Sequence, residues 1–200
     1  MKQLLLFTML ISAACLPFGF AAETPPRPAP KPVVSPQVQV VTSMGNFTIE
    51  LNAERAPLTV AHFLSYVDKG FYTNTLFHRV VVNFVIQGGG FDTDYNLKPA
   101  PDKIVNESGN GLSNTRGTVG MARGPDPHGA DAQFYVNMGE NAALDPSQTR
   151  WGYTVFGHVT QGMDVVDRIN SVATSAHGAL KEDVPLKPVV ILRIERVPSP

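Results

Sequence analysis

The sequence predicts a mainly β fold, an antiparallel barrel, on three observations. Short apolar runs of strand length recur between Val38 and Val197, only two stretches have helical spacing, and the connections are long and rich in glycine and proline. Successive strands joined by such loops pair antiparallel, and closing the sheet into a barrel removes its exposed edges.

The chain begins with Lys2, the apolar run "LLLFTMLI" from Leu4 to Ile11, small residues and "GFAA" at 19–22. A short positive region, an apolar core too short to span a bilayer and a small-residue site describe a secretory signal peptide, residues 1–21, cleaved after Ala21. The alternative is a lipoprotein signal, because the single cysteine, Cys15, directly follows "SAA"; Ser12 fits that pattern poorly. Export predicts a periplasmic location. A mature chain without cysteine has no disulfide, which a domain with an adequate core does not need. Residues 22–37 form a proline-rich linker, with six prolines between Glu23 and Gln37. Such a segment is extended rather than helical. The domain therefore runs over 38–200.

Within the domain, "VQVVTSMGNFTIEL" alternates apolar and polar residues about a turn at Met44-Gly45-Asn46, the pattern of a hairpin. "APLTVAHFLSYVDKG" places Pro57 at a helix start, Val60, Phe63, Leu64 and Val67 on one face and Gly70 as the stop. Further strands are predicted at 76–82, 84–87, 118–122, 133–137, 155–160 and 189–197, and a second short helix at 163–169.

Composition narrows the function. With 16 basic and 17 acidic residues the net charge is −1, so no electrostatic footprint points to nucleic acid or an anionic membrane. "QGGGF" lacks the continuation of a phosphate-binding loop. Asp126, His128 and Asp131 share a loop but read as solvated rather than metal-binding, and no metal or other cofactor is expected. No activated serine or cysteine stands out.

One stretch remains: "FHRVVVNFVIQGGGF", Phe77 to Phe91, a strand-like run that carries His78, Arg79 and Gln87. An unpaired charge is costly to bury, so Arg79 needs water, a partner or a task. At period two Phe77, Arg79 and Val81 share one face, and Val85 shares a face with Gln87. Either Arg79 and Gln87 face a common cavity beside apolar side chains, or Arg79 pairs with a carboxylate at the barrel rim.

That stretch resembles the signature of the cyclophilin-type peptidyl-prolyl cis-trans isomerases. The resemblance continues through "GTVGMAR", "AQFYVNM", "ALD", "YTVFGHVTQGMDVVDRI" and "KPVVILRIERV", in the family's order, over about Val38 to Val197. It implies a closed eight-stranded antiparallel barrel capped by two α-helices, and isomerisation of X-Pro bonds that assists the folding of exported proteins. By the same resemblance Arg79 matches the catalytic arginine and Gln87 the glutamine beside it, available to hold its orientation. Phe84, Val85, Tyr135 and Leu144 match the walls of the proline pocket, Ala122, Arg123 and Gln133 the groove for the peptide backbone, and His78 and Tyr153 further groove positions.

Three departures from many eukaryotic members stand out. Tyr135 replaces a phenylalanine, Tyr153 a histidine, and Ala143 the tryptophan that binds cyclosporin, so cyclosporin binding is expected to be weak. Val85, where a longer side chain is common, leaves a roomier pocket. The implied partners are proline-containing unfolded or flexible polypeptides, and a monomer is expected. The rival function is a proline-peptide-binding chaperone module with incidental turnover. Arg79 with Gln87 favours catalysis, because a pure binder has no use for a donor aimed at the imide nitrogen.

Overall fold

The computed structural model describes residues 35–198. The signal peptide, Cys15 and residues 22–34 of the linker lie outside the described residues. Strand β1 (Gln37–Thr42) begins one residue before the expected domain start and pairs with β2 (Gly45–Leu51) from Gln37↔Glu50 to Thr42↔Gly45. The turn is Ser43-Met44, one residue earlier than the sequence pattern places it. Thr42 sets that position: its Oγ1 accepts from the Met44 N–H at 3.0 Å and donates to the Gly45 carbonyl at 2.6 Å. Gly45 then opens β2 at φ +124°, a backbone conformation that side chains disfavour. Alternation does what it predicted, for Val38, Val40, Phe47, Ile49 and Leu51 are all fully buried.

Helix α1 (Pro57–Asp68) buries Val60, Phe63, Leu64 and Val67, the face expected from their spacing. Its first-turn N–H groups are satisfied by a distant carboxylate: Glu107 accepts from the Leu58 and Thr59 amides at 3.2 and 2.8 Å. Phe63 sits at the centre of the core, its ring centroid 5.2 to 5.6 Å from those of Phe156, Tyr72 and Phe134. Helix α2 (Met163–Asn170) buries Val165, Val166 and Ile169 against β2 and the strands at Arg79–Val81 and Val85–Gly88.

The remaining strands are β3 (Thr75–Leu76), β4 (Arg79–Val81), β5 (Val85–Gly88), β6 (Thr118–Met121), β7 (Phe134–Asn137), β8 (Val155–Gln161), β9 (Thr174–His177), β10 (Leu180–Pro185) and β11 (Val190–Val197). Among the described residues, seven of these join β1 and β2 in one nine-stranded antiparallel sheet in the order β3-β11-β1-β2-β8-β6-β7-β5-β4. Nine strands rather than eight result because the expected run 76–82 breaks at Phe77-His78. The Phe77 amide donates to Val189 at 2.9 Å, continuing the β11 side, and pairing with β5 begins only at Arg79. The sheet still returns upon itself. Leu76 donates to Phe91 at 2.9 Å and accepts from Gly89 at 3.1 Å, so β3 bonds to the chain just beyond β5.

The break also changes which side chains share a face. Phe77 and Val80 both enter the core, so the period-two assignment of Phe77 to the face of Arg79 fails. The β9–β10 hairpin lies outside the main sheet, and the sequence did not announce it. Its segment, "TSAHGALKEDVP", has no alternating apolar pattern because most of its side chains face solvent.

Candidate functional site

The outer wall of the barrel between β4 and β6 is built by register. Arg79 lies opposite Gln87, Gln87 opposite Tyr135, and Tyr135 opposite Gly120, so the four form one row across four strands. Directly opposed residues project to the same side. The next row, Val80, Ile86, Val136 and Val119, goes entirely into the core. Arg79 is therefore on the outer face by strand parity, and no buried charge has to be accommodated.

Over that row lies a cavity of about 380 Å³ lined by Arg79, Phe84, Val85, Gln87, Ala122, Arg123, Tyr135, Leu144 and Tyr153. Nine of the residues singled out from the sequence thus converge. Phe84 reaches the cavity because it lies in the β4–β5 turn rather than in the strand: Asn83 adopts φ +59° and the Phe84 amide donates to Val81. Leu144 projects from a single 3-10 turn, Ala142–Leu144, and its carbonyl accepts from the Tyr153 amide at 2.8 Å.

Beneath the apolar wall runs a polar network that no sequence pattern signalled. The Tyr135 hydroxyl donates to Asn114 Oδ1 at 2.7 Å, and Asn137 donates to the same oxygen at 3.1 Å. Asn141 donates to Asn137 Oδ1 at 2.6 Å and to the Phe84 carbonyl at 2.8 Å, while Asn114 is held by Asp145 Oδ1. These bonds tie the floor of the cavity, the Phe84 turn and the Leu144 turn to one another. Burial pushes the Tyr135 phenol well above its usual range, so it remains a neutral donor.

The polar side of the cavity departs from expectation. Gln87 donates to Gln133 Oε1 at 3.2 Å and accepts no bond from Arg79, and Gln133 in turn accepts the Ala122 amide through its carbonyl at 2.9 Å. Gln133 thus stands beside the cavity as a support for Gln87 and Ala122. Arg79 Nε instead lies 3.4 Å from Asp183 Oδ2 on β10. The two alternatives for Arg79 coexist, because it lines the cavity and also pairs with a carboxylate. Arg123 lies over the Tyr153 ring at 4.5 Å and donates to the carbonyls of Gly124, Trp151 and Gly152. In the loop considered for metal, Asp131 pairs with Lys103 and caps the Ala132 and Gln133 amides, and Asp126 accepts from the His128 amide.

The sequence that builds this cleft, with an arginine on one side and an apolar pocket on the other, matches a known family. Residues 37–196 match the model for "Cyclophilin type peptidyl-prolyl cis-trans isomerase/CLD". The chain belongs to that family. It is 48% identical over 158 residues to a peptidyl-prolyl cis-trans isomerase of Acinetobacter baylyi, covering 79% of this chain and 84% of that one. With peptidyl-prolyl cis-trans isomerase B of Escherichia coli it shares 48% over 153 residues, 75% of this chain and 93% of the relative. The fold is similar to that of a Cryptosporidium parvum cyclophilin-type isomerase, with a TM-score of 0.66, 22% identity and coverage of 83% and 99%.

Of the groove candidates from the cyclophilin resemblance, Gln133 stands beside the cavity and His78 is buried away from it. It is 5% exposed, its ring packs on Phe91 at 4.5 Å between centroids, and its Nδ1 has no hydrogen-bond partner. The cause is the break at Phe77-His78, which turns the imidazole into the barrel wall. Burial lowers its pKa from 6.5 to about 4, so the ring is neutral in the folded cyclophilin domain. The unfolded chain takes up a proton below pH 6.5 while the folded one does not until about pH 4. Stability from this site is therefore complete above pH 6.5 and declines as pH falls from 6.5 to 4, by about 3 kcal/mol at most. In His78→Phe, the melting temperature loses this part of its pH dependence. An unchanged slope between pH 6.5 and 4 would contradict the assignment.

Proposed function

We propose that the chain isomerises X-Pro bonds in proline-containing segments of exported polypeptides, with Arg79 as the group that stabilises the twisted amide. The observation that carries this reading is the placement of the Arg79 guanidinium on the wall of the cavity closed by Phe84, Val85, Tyr135 and Leu144. Rotation about the amide must break its resonance, at a barrier of about 18–20 kcal/mol. In the twisted state the proline nitrogen regains a lone pair and accepts a hydrogen bond. A donor already fixed beside it stabilises that state over both planar ones. Arginine suits this task because its guanidinium stays charged and offers N–H groups in a planar fork. No covalent bond breaks, so a nucleophile is not required. The apolar walls hold the ring, and the edge near Ala122 and Gln133 receives the flanking backbone, which confines the amide to the arginine's reach.

The sequence supports a monomer acting in the periplasm after cleavage at Ala21. Ala143, exposed on the turn that carries Leu144, supplies no indole, which supports weak cyclosporin binding. A protease-coupled proline-isomer assay on the purified mature chain is expected to show turnover. Tight binding of an X-Pro peptide without acceleration of exchange would favour the chaperone-module alternative. The intact mass of the exported protein is expected to start at Ala22. A diacylglycerol-modified Cys15 would replace the periplasmic reading with a membrane-anchored one.

A further inference from the structure

We infer that Asp183 is a positioning residue for Arg79, and that the β9–β10 hairpin is present in the fold to deliver it. This rests on the proposed role of Arg79. Asp183 Oδ2 approaches Nε, the inner nitrogen of the guanidinium, at 3.4 Å. That contact orients the fork from its inner edge and leaves the two terminal nitrogens for the cavity. Gln87, directly opposite Arg79 in the sheet, is engaged with Gln133 and does not perform this task.

The local backbone is shaped for the contact. The β9–β10 register shifts between Leu180 and Val184, and Asp183 within that irregularity has φ +62°. Bulges of this kind re-aim a side chain, and aspartate is one of the few residues besides glycine that tolerates the left-handed region. The following Val184 is fully buried and anchors the strand, while the His177 ring stacks on Tyr95 at 3.9 Å and secures the other arm of the hairpin. The pair is half-exposed, 37% for the arginine side chain and 27% for the aspartate, so its contribution to folding stability is small. Its consequence lies in the direction the guanidinium points.

Asp183→Asn keeps size and tolerance of positive φ but removes the charge, and Asp183→Gly removes the side chain without straining the backbone. For an X-Pro peptide, both are expected to lower kcat by about 3- to 10-fold with KM within about twofold, at an unchanged melting temperature. Adding Asp183→Asn to Arg79→Ala is expected to cause no further loss, because nothing remains to be positioned. Wild-type kcat in both Asp183 variants, with Arg79→Ala still impaired, overturns the positioning role and leaves the isomerase reading standing. So does an additive loss in the double variant. If Arg79→Ala itself turns over at the wild-type rate, the role of Arg79 falls, and that of Asp183 with it.

Discussion

Arg79→Ala is expected to lower kcat/KM for an X-Pro peptide by between about 10- and 150-fold, the equivalent of losing one charge-assisted hydrogen bond of about 1.5–3 kcal/mol in the transition state. The loss should fall mainly on kcat, because the twisted amide nitrogen accepts a bond that the planar one cannot. Stability should hardly change. The side chain is on the outer face, half-exposed, and its ion pair with the partly exposed Asp183 is an interaction worth about 0–1 kcal/mol. Arg79→Lys keeps the charge but loses the planar fork and the Nε that meets Asp183, so it should recover only part of the activity. Isomer exchange by Arg79→Ala at the wild-type rate, measured on a protein with the wild-type melting temperature, would remove the arginine from the mechanism.

Strand parity and side-chain chemistry made Arg79, Gln87 and Val85 legible in the sequence, and the cyclophilin resemblance supplied the rest of the cleft. Tyr135 is remote in the chain from Arg79 and Gln87, yet two antiparallel registers bring the three into one row. A charge in a half-buried strand has only one face available to it, and that face is where the cavity lies. What could not be read was the partner of each polar group. Gln87 could equally face Arg79 or Gln133, and the choice depends on the positions of β4 and β7 on either side of β5. Asp183 lay beyond reach for a different reason. It belongs to a hairpin without apolar alternation, in a register irregularity that only the three-dimensional pairing reveals.

The fold shows the same division. Where one face is buried and the other wet, as in β1, β2 and α1, composition follows geometry and the elements fall within a residue or two of their expected limits. The long strand expected over 76–82 fails because its phenylalanine and three valines favour strand on either side of the break, and propensity does not register a change of partner. Phe77 bonds to the β11 side and Arg79 to β5, and the chain turns between them. His78 was assigned to the groove by the cyclophilin resemblance alone, and at that same turn its imidazole is buried instead, like Val80.

The row of opposed residues ends at Gly120, and a substitution there should have a large structural effect on the cavity. A Cβ at this position would lie 2.2 Å from the Cζ and hydroxyl oxygen of Tyr135, whose ring occupies the space a side chain would fill. Backbone conformation is not the constraint, for Gly120 is not among the residues with positive φ. Tyr135 cannot move aside freely, being 4% exposed and bonded through its hydroxyl to Asn114. In Gly120→Ala the ring must tilt toward the cavity and release Asn114. Overpacking costs about 1–3 kcal/mol and the unmade buried hydrogen bond about 1–3 more. At about 2–4 °C per kcal/mol for a domain of this size, the melting temperature should fall by roughly 5–15 °C. The tilted ring also narrows the space for proline, so kcat/KM should drop more than about tenfold even where the variant is folded. Tyr135→Phe separates the two effects, since it loses the hydroxyl but keeps the ring in place, and should be less stable while retaining most of its activity. Tyr135→Val in the Gly120→Ala background makes room for the methyl group and should cost less stability than the two single changes added together. A Gly120→Ala protein that melts and turns over like the wild type would show that the Tyr135 ring is not held against β6 in the way the cavity requires.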